Sequence, residues 1–378
     1  MKSLLYLANV RLPTEKAYGI QITHMCEAFA EQGIHVKLIM PTRRNPISED
    51  LFSYYPVKKN FQMLKLWSPD FYLPGALDRI AVAVKDAISA TRLAFFAAFQ
   101  REAVVYSRDE LPLYLLSFIR GNLVFEAHRY SSRRVWFYRR FKKAGVKVAV
   151  ISFGIRDRFL WLGYAEEQIL LAPDGADLAQ FDIRRTKEEC RMALSLPHNK
   201  VLVLYTGHLY SWKGVGVLAE ASKQLDQRYR VVVVGGTEHE TARYKHIYAD
   251  CRNIMFLGWK PYRLMPLYLR AADMLVLPNS GKEDISRIFT SPLKMFEYMA
   301  SGNPIIASDL PSIREVLSDE TAFFVPPDNP SILAQIIYTV AANIPESDKR
   351  ARQARIKVAE YSWSSRARRV LRFIAGTP

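Results

Sequence analysis

The sequence predicts an α/β protein of two Rossmann-like, doubly wound domains, each a parallel sheet covered by helices on both faces. Three observations predict it: short strand-like runs that are continuously apolar, helix-length segments between most of them, and a length of 378 residues, too long for one ordinary core. The runs are, in order, 4–8, 36–40, 103–106, 123–127 and 146–152, then 201–205, 231–234, 254–256, 274–277 and 304–307. Segments 21–32, 111–119, 215–225 and 292–300 have helical length between them. Pro173 and Gly175 punctuate a turn within 170–177, so the first domain is expected over 1–170 and the second over 171–361. A basic terminal segment, 362–378, reads as a helix returning to the first domain.

The chain is 49% hydrophobic and 24% charged, the balance of a folded protein. Cys26, Cys190 and Cys251 are too scattered for a disulfide framework or a metal knuckle and favour a reducing, cytoplasmic setting. Residues 4–8 form too short an apolar run for a signal peptide and read as a buried strand. In 80–99, Lys85, Asp86 and Arg92 interrupt the apolar stretch, which reads as an amphipathic helix rather than a membrane span. The net charge of +16 favours an anionic partner. No acidic residue lies between His128 and Arg156, where Arg133, Arg134, Arg139, Arg140, Lys142 and Lys143 are interleaved with Trp136, Phe137, Tyr138 and Phe141. That pattern suits peripheral contact with an anionic inner-leaflet surface, or equally a solvated helix whose aromatic residues pack inward.

Three segments carry candidate chemistry. The run 201–206 opens into a loop from Gly207 through His208 to Lys213 and Gly214, with a helix after it; the carboxyl end of such a strand is where open α/β sheets bind ligands, within reach of Lys213 for a phosphate. The segment 290–304 specifies a short helix at both ends, with Ser291 as the expected N-cap, Pro292 at the first helical position and Gly302 at the C-cap. The free amides of Leu293 and Lys294 would face an anion, and Glu297 in the second turn suits two ribose hydroxyls. Gly258 and Trp259 follow a strand at a tight turn whose amides suit a base edge. The competing readings are an exposed lysine for Lys213, a solvated helix residue for Glu297 and a satisfied core histidine for His128.

These motifs, in this order, resemble the retaining GT-B glycosyltransferases of family 4: 173–177, Gly207 to Lys213-Gly214, Phe256-Leu257-Gly258, 272–278, and Ser291-Pro292-Leu293-Lys294 to Gly302-Asn303-Pro304. The resemblance is looser in the first half, where Gly19 lies in a glycine-containing loop after the first strand and His128 at a strand end. It implies two domains facing across a cleft, and a nucleotide-sugar donor (UDP- or GDP-sugar) whose diphosphate is held by Lys213 and the Pro292 helix. Glu297 would hold the ribose, Gly19 would approach the phosphates or sugar on domain closure, and His128 would sit beside the sugar. A glycan or lipid-linked acceptor and a role in cell-envelope polysaccharide synthesis follow from the same resemblance, as does retention of configuration.

Two positions depart from the family pattern. Phe289 stands where the first acid of a pair spaced eight apart is expected, leaving Glu283 or Asp284 as substitutes, and His208 replaces a basic residue, leaving Lys213 or Arg287 to neutralise phosphate. No Asp-x-Asp triplet occurs, so no metal and no other cofactor is expected. A dinucleotide-dependent oxidoreductase or epimerase would need Gly-x-Gly-x-x-Gly after the first strand, where Asn9-Val10-Arg11-Leu12-Pro13 stands instead. A non-catalytic protein binding lipid or nucleic acid through the basic stretch is the remaining alternative, nucleic acid not being expected as a partner of the enzyme.

Overall fold

The computed structural model describes residues 1–376; residues 377 and 378, the end of the expected terminal helix, lie outside the described residues. The chain divides into two compact units, one of Met1–Pro173 together with the segment from Trp363 onward, the other Asp174–Ser362.

In the first unit seven strands, β1 Ser3–Leu7, β2 His35–Pro41, β3 Gln62–Leu66, β4 Val104–Ser107, β5 Leu123–Ala127, β6 Lys147–Val150 and β7 Ile169–Leu171, form one parallel sheet in the order β3-β2-β1-β4-β5-β6-β7. In the second, β8 Val201–Thr206, β9 Tyr229–Val234, β10 Ile254–Gly258, β11 Met274–Leu277, β12 Ile305–Ser308 and β13 Phe323–Val325 form a parallel sheet in the order β10-β9-β8-β11-β12-β13. Alternate residues of its strands enter opposite cores: Leu202, Leu204, Val232 and Leu275 on one face, Val203, Tyr205, Val231 and Val276 on the other. Both faces are therefore covered, which is why these strands read as continuous apolar runs. Strand order reverses between β1 and β4 and between β8 and β11, and at such switch points the loops diverge and leave room for a ligand.

Three strands were not among the expected ones. No residue of β3 is fully buried, so this edge strand lacks an apolar run. Residues 170 and 171, read as the start of the turn between domains, lie instead in the last strand of the first sheet, Ile169–Leu171. The third, β13, has only three residues.

The helix Trp363–Ala375 belongs to the first unit. Its Arg366 is completely buried and donates from Nε to the Pro173 carbonyl (2.9 Å) and from Nη2 to that of Ala172 (3.0 Å). The same guanidinium pairs with the completely buried Glu126 of β5 at 2.5 Å. Glu126 also accepts from Tyr6 (3.1 Å) and Gln21 (2.8 Å), so the buried charge is both paired and hydrogen-bonded. Burial alone would raise the Glu126 pKa, but Arg366, then His128 and Arg108, hold it well below the usual carboxylate range.

The amphipathic helix expected over 80–99 forms as Asp78–Ala98, with an unusual choice of faces. Lys85 is buried and paired with Asp70 at 3.2 Å, whereas Ile80, Val84, Ile88 and Phe95 are exposed. Among the described residues no helix is long and apolar enough to cross a membrane.

Candidate functional site

The loop after β8 and the loop after β11 meet at the second switch point. Gly214 has a left-handed backbone (φ 71°), and a β-carbon there would lie 1.7 Å from the Pro278 carbonyl oxygen. Only glycine permits this approach. Ser280 N–H donates to the Trp212 carbonyl (2.9 Å), fastening the loops a second time. Lys213 closes the short turn Ser211–Lys213 immediately before the helix Val215–Ser222. It is partly exposed, yet loss of water around its ammonium pushes its pKa down to about 8, against the attraction of Glu297 and Glu240.

The helix Leu293–Ser301 packs beside the same strand end. Tyr298 accepts from the Thr206 backbone N–H (2.8 Å), the residue before Gly207, so the preceding turn of that helix comes over β8. Lys294, one turn earlier, places its ammonium 3.6 Å from the centre of the Tyr205 ring. Glu297 is 6% exposed and bonds the Tyr262 hydroxyl; burial pushes its pKa up to about 7, against the opposing pull of Tyr262, Lys294 and Lys213. Two lysines, a carboxyl group and a helix N-terminus thus converge on the end of β8. They are equipped to bind phosphate through cations and amides and to accept bonds from sugar hydroxyls.

One detail of this helix differs from expectation. Pro292, not Ser291, occupies the N-cap, and helical geometry starts at Leu293. Ser291 is drawn away because its Oγ accepts from the Asp174 N–H at 3.2 Å. Proline offers no capping side chain, so the Leu293 and Lys294 amides gain no acceptor from the cap.

Other expected residues fall around this centre or elsewhere. The His208 ring stacks on Tyr210 (5.1 Å between centroids), and its carbonyl accepts from the Tyr205 hydroxyl (2.7 Å). Gly258 turns with φ 69° and accepts from Gly235 N–H, while Trp259 is 46% exposed. Arg287 is exposed and paired with Asp284 at 2.6 Å, and Glu283 accepts from Ser211 Oγ at 3.0 Å, beside the Lys213 turn. Gly19 lies in the helix Ala17–Glu31, where a β-carbon would collide with Tyr55 and Thr14. His128 follows β5 and reaches Glu126 with Nε2 at 3.2 Å. Sequence reasoning missed Tyr262, whose role depends on a contact across the fold, and Asp109, which accepts from Asn9 N–H (2.6 Å) at the first switch point and is pushed up to about 6 mainly by burial.

The basic stretch is divided. Phe137, Tyr138 and Phe141 are buried, Arg134 pairs with Glu110, and Arg140 donates to Ser117. Arg133, Trp136, Arg139, Lys142 and Lys143 remain exposed. The exposed aromatic component is therefore smaller than the sequence pattern suggested, because the helix Val135–Lys143 spends most of its aromatic residues on the core.

Two doubly wound units, one with a phosphate-suited switch point, define the GT-B architecture. A crystal structure of HepE from Anabaena, in complex with UDP and glucose, superposes with a TM-score of 0.73 at 16% identity, covering 99% of this chain and 100% of that one. Residues 200–343 match the family model for glycosyl transferases group 1. The TuaC protein of Bacillus subtilis (strain 168), named for teichuronic acid biosynthesis, is 26% identical over 338 residues, 84% of this chain and 80% of its own length. A D-inositol 3-phosphate glycosyltransferase of Corynebacterium urealyticum is 22% identical over 56% of this chain and 52% of its own. The chain has the GT-B fold, and its residues 200–343 are similar to the glycosyl transferases group 1.

Proposed function

We propose that the chain transfers a sugar from a UDP- or GDP-sugar to a glycan or lipid-linked acceptor in cell-envelope polysaccharide synthesis, with retention of configuration and without a metal ion. The observation that carries this reading is the convergence of Lys213, Glu297 and the N-terminus of Leu293–Ser301 at the second switch point. As the glycosidic bond breaks, negative charge grows on the leaving diphosphate, and preorganised cations and amides lower the barrier most where charge develops. Lys213 supplies such a cation, Leu293 and Lys294 supply amides, and Glu297 fixes the ribose. HepE, of the same fold, was crystallised with UDP and glucose, and TuaC is named for teichuronic acid biosynthesis; both support the choice of donor and acceptor class. Gly19 and His128 keep, within this proposal, the roles at the phosphates and the sugar that the resemblance gives them.

Calorimetric titration with UDP, GDP and ADP, repeated on Lys213→Ala and Glu297→Ala, tests the site. We expect one nucleotide to be preferred and each variant to weaken it at least tenfold; unchanged affinity in both variants refutes the assignment. The reading also places the protein at the inner face of the cytoplasmic membrane, on the strength of exposed Trp136, Arg133, Arg139, Lys142 and Lys143, with Phe95, Phe99 and Phe118 exposed in the same unit. Sedimentation should show salt-sensitive binding to vesicles with anionic lipid and little to neutral ones; equal binding to both, or none, refutes it.

A further inference from the structure

Lys294 is 6% exposed, and its ammonium has no hydrogen-bond acceptor among the described residues. Burying a cation without an acceptor is costly, and a methionine would fill the same volume without that cost. The groups around it leave it unsatisfied. Tyr205 meets the ammonium with its ring face, and the Tyr298 hydroxyl is engaged by Thr206. Glu297 attracts it from the next turn but already bonds Tyr262, and Lys213, from the facing loop, repels it. Gly207 supplies the space. A β-carbon on that residue would lie 4.0 Å from Lys213 Nζ and 4.0 Å from Lys294 Cδ, so both lysines border the volume that the missing side chain leaves. Lys294 is the second residue of Leu293–Ser301, a nine-residue helix, so that volume lies beside the helix's first turn.

We propose that Lys294 is a second diphosphate-binding cation, whose ammonium gains its acceptor when the phosphates of the nucleotide enter. The proposal rests on the nucleotide-sugar reading of the site and adds a ligand to it. Burial, then the neighbouring Lys213, pull the Lys294 pKa well below the lysine range, against the attraction of Glu297. A diphosphate reverses this balance by giving each ammonium oxygen acceptors. The other charged group acting on this pair, Glu240 on the helix Glu238–Ile247, acts through Lys213.

The test is calorimetry of the full chain with UDP and with uridine, which lacks phosphate. Lys294→Met should weaken UDP at least tenfold, leave uridine unchanged, and melt no lower than wild type without nucleotide. UDP affinity that survives in Lys294→Met overturns the proposal while leaving the nucleotide reading intact. Equal weakening of UDP and uridine also overturns it, because the side chain would then shape the pocket rather than meet phosphate. A wild type that binds none of UDP, GDP and ADP overturns both.

Discussion

Replacing Arg366 by methionine removes the partner of a completely buried carboxylate and keeps much of the side-chain volume. Breaking a buried pair from one side costs about 3–5 kcal/mol, because the remaining charge is stranded. For a unit of this size that corresponds to a fall of roughly 10 °C in the melting temperature. The pH dependence separates this from simple loss of packing. In the wild type the folded pKa of Glu126 is depressed, so its contribution is fully present above the unfolded value and is lost only as pH falls through the lower folded value. With Arg366 gone, burial dominates and the folded pKa rises above the unfolded one; stability then falls as pH increases. The deficit of Arg366→Met, measured by scanning calorimetry, should accordingly be larger at pH 8 than at pH 5. Adding Glu126→Gln should recover more than half of it at pH 8. A deficit below about 1 kcal/mol at pH 8, or one that does not change with pH, would refute the assignment of the cost to a stranded charge.

Gly214→Ala should cost more than about 2 kcal/mol, combining left-handed backbone strain with a contact that forces the two loops apart, and should weaken UDP at least tenfold. Wild-type stability with normal UDP binding would show that the loops do not meet as described. Glu297 has a raised folded pKa, about 7, so the unliganded unit loses stability as pH climbs from the unfolded value to that point, by about 3 kcal/mol in all. Glu297→Gln should therefore gain on the wild type in urea unfolding between pH 5 and pH 8 while binding UDP less tightly; parallel stability curves would count against the shift.

Much of the fold was readable because its strands are buried on both faces. Runs such as 123–127 and 274–277 coincide with the strands themselves. Strands without that signature, the edge strand Gln62–Leu66 and the three-residue Phe323–Val325, left no such trace. The C-terminal end of Leu293–Ser301 was legible because Gly302 adopts the left-handed conformation expected of a C-cap, but Ser291 was misplaced because its true partner, Asp174, lies far away in sequence. Local pattern also identified Lys213 and Glu297 as candidates. It was silent on the burial of the Lys294 ammonium, which depends on Tyr205 and Gly207 coming over it from another strand end.

The guanidinium that neutralises Glu126 also grips the carbonyls of Ala172 and Pro173, where the chain leaves the first unit, and it does so from the helix with which the chain returns. During synthesis, the seven strands of that unit and all of the second emerge before this helix does. Until Trp363–Ala375 docks, Glu126 lacks the guanidinium that neutralises it and has only uncharged Tyr6 and Gln21 and the weaker influence of His128 and Arg108 to hold its charge.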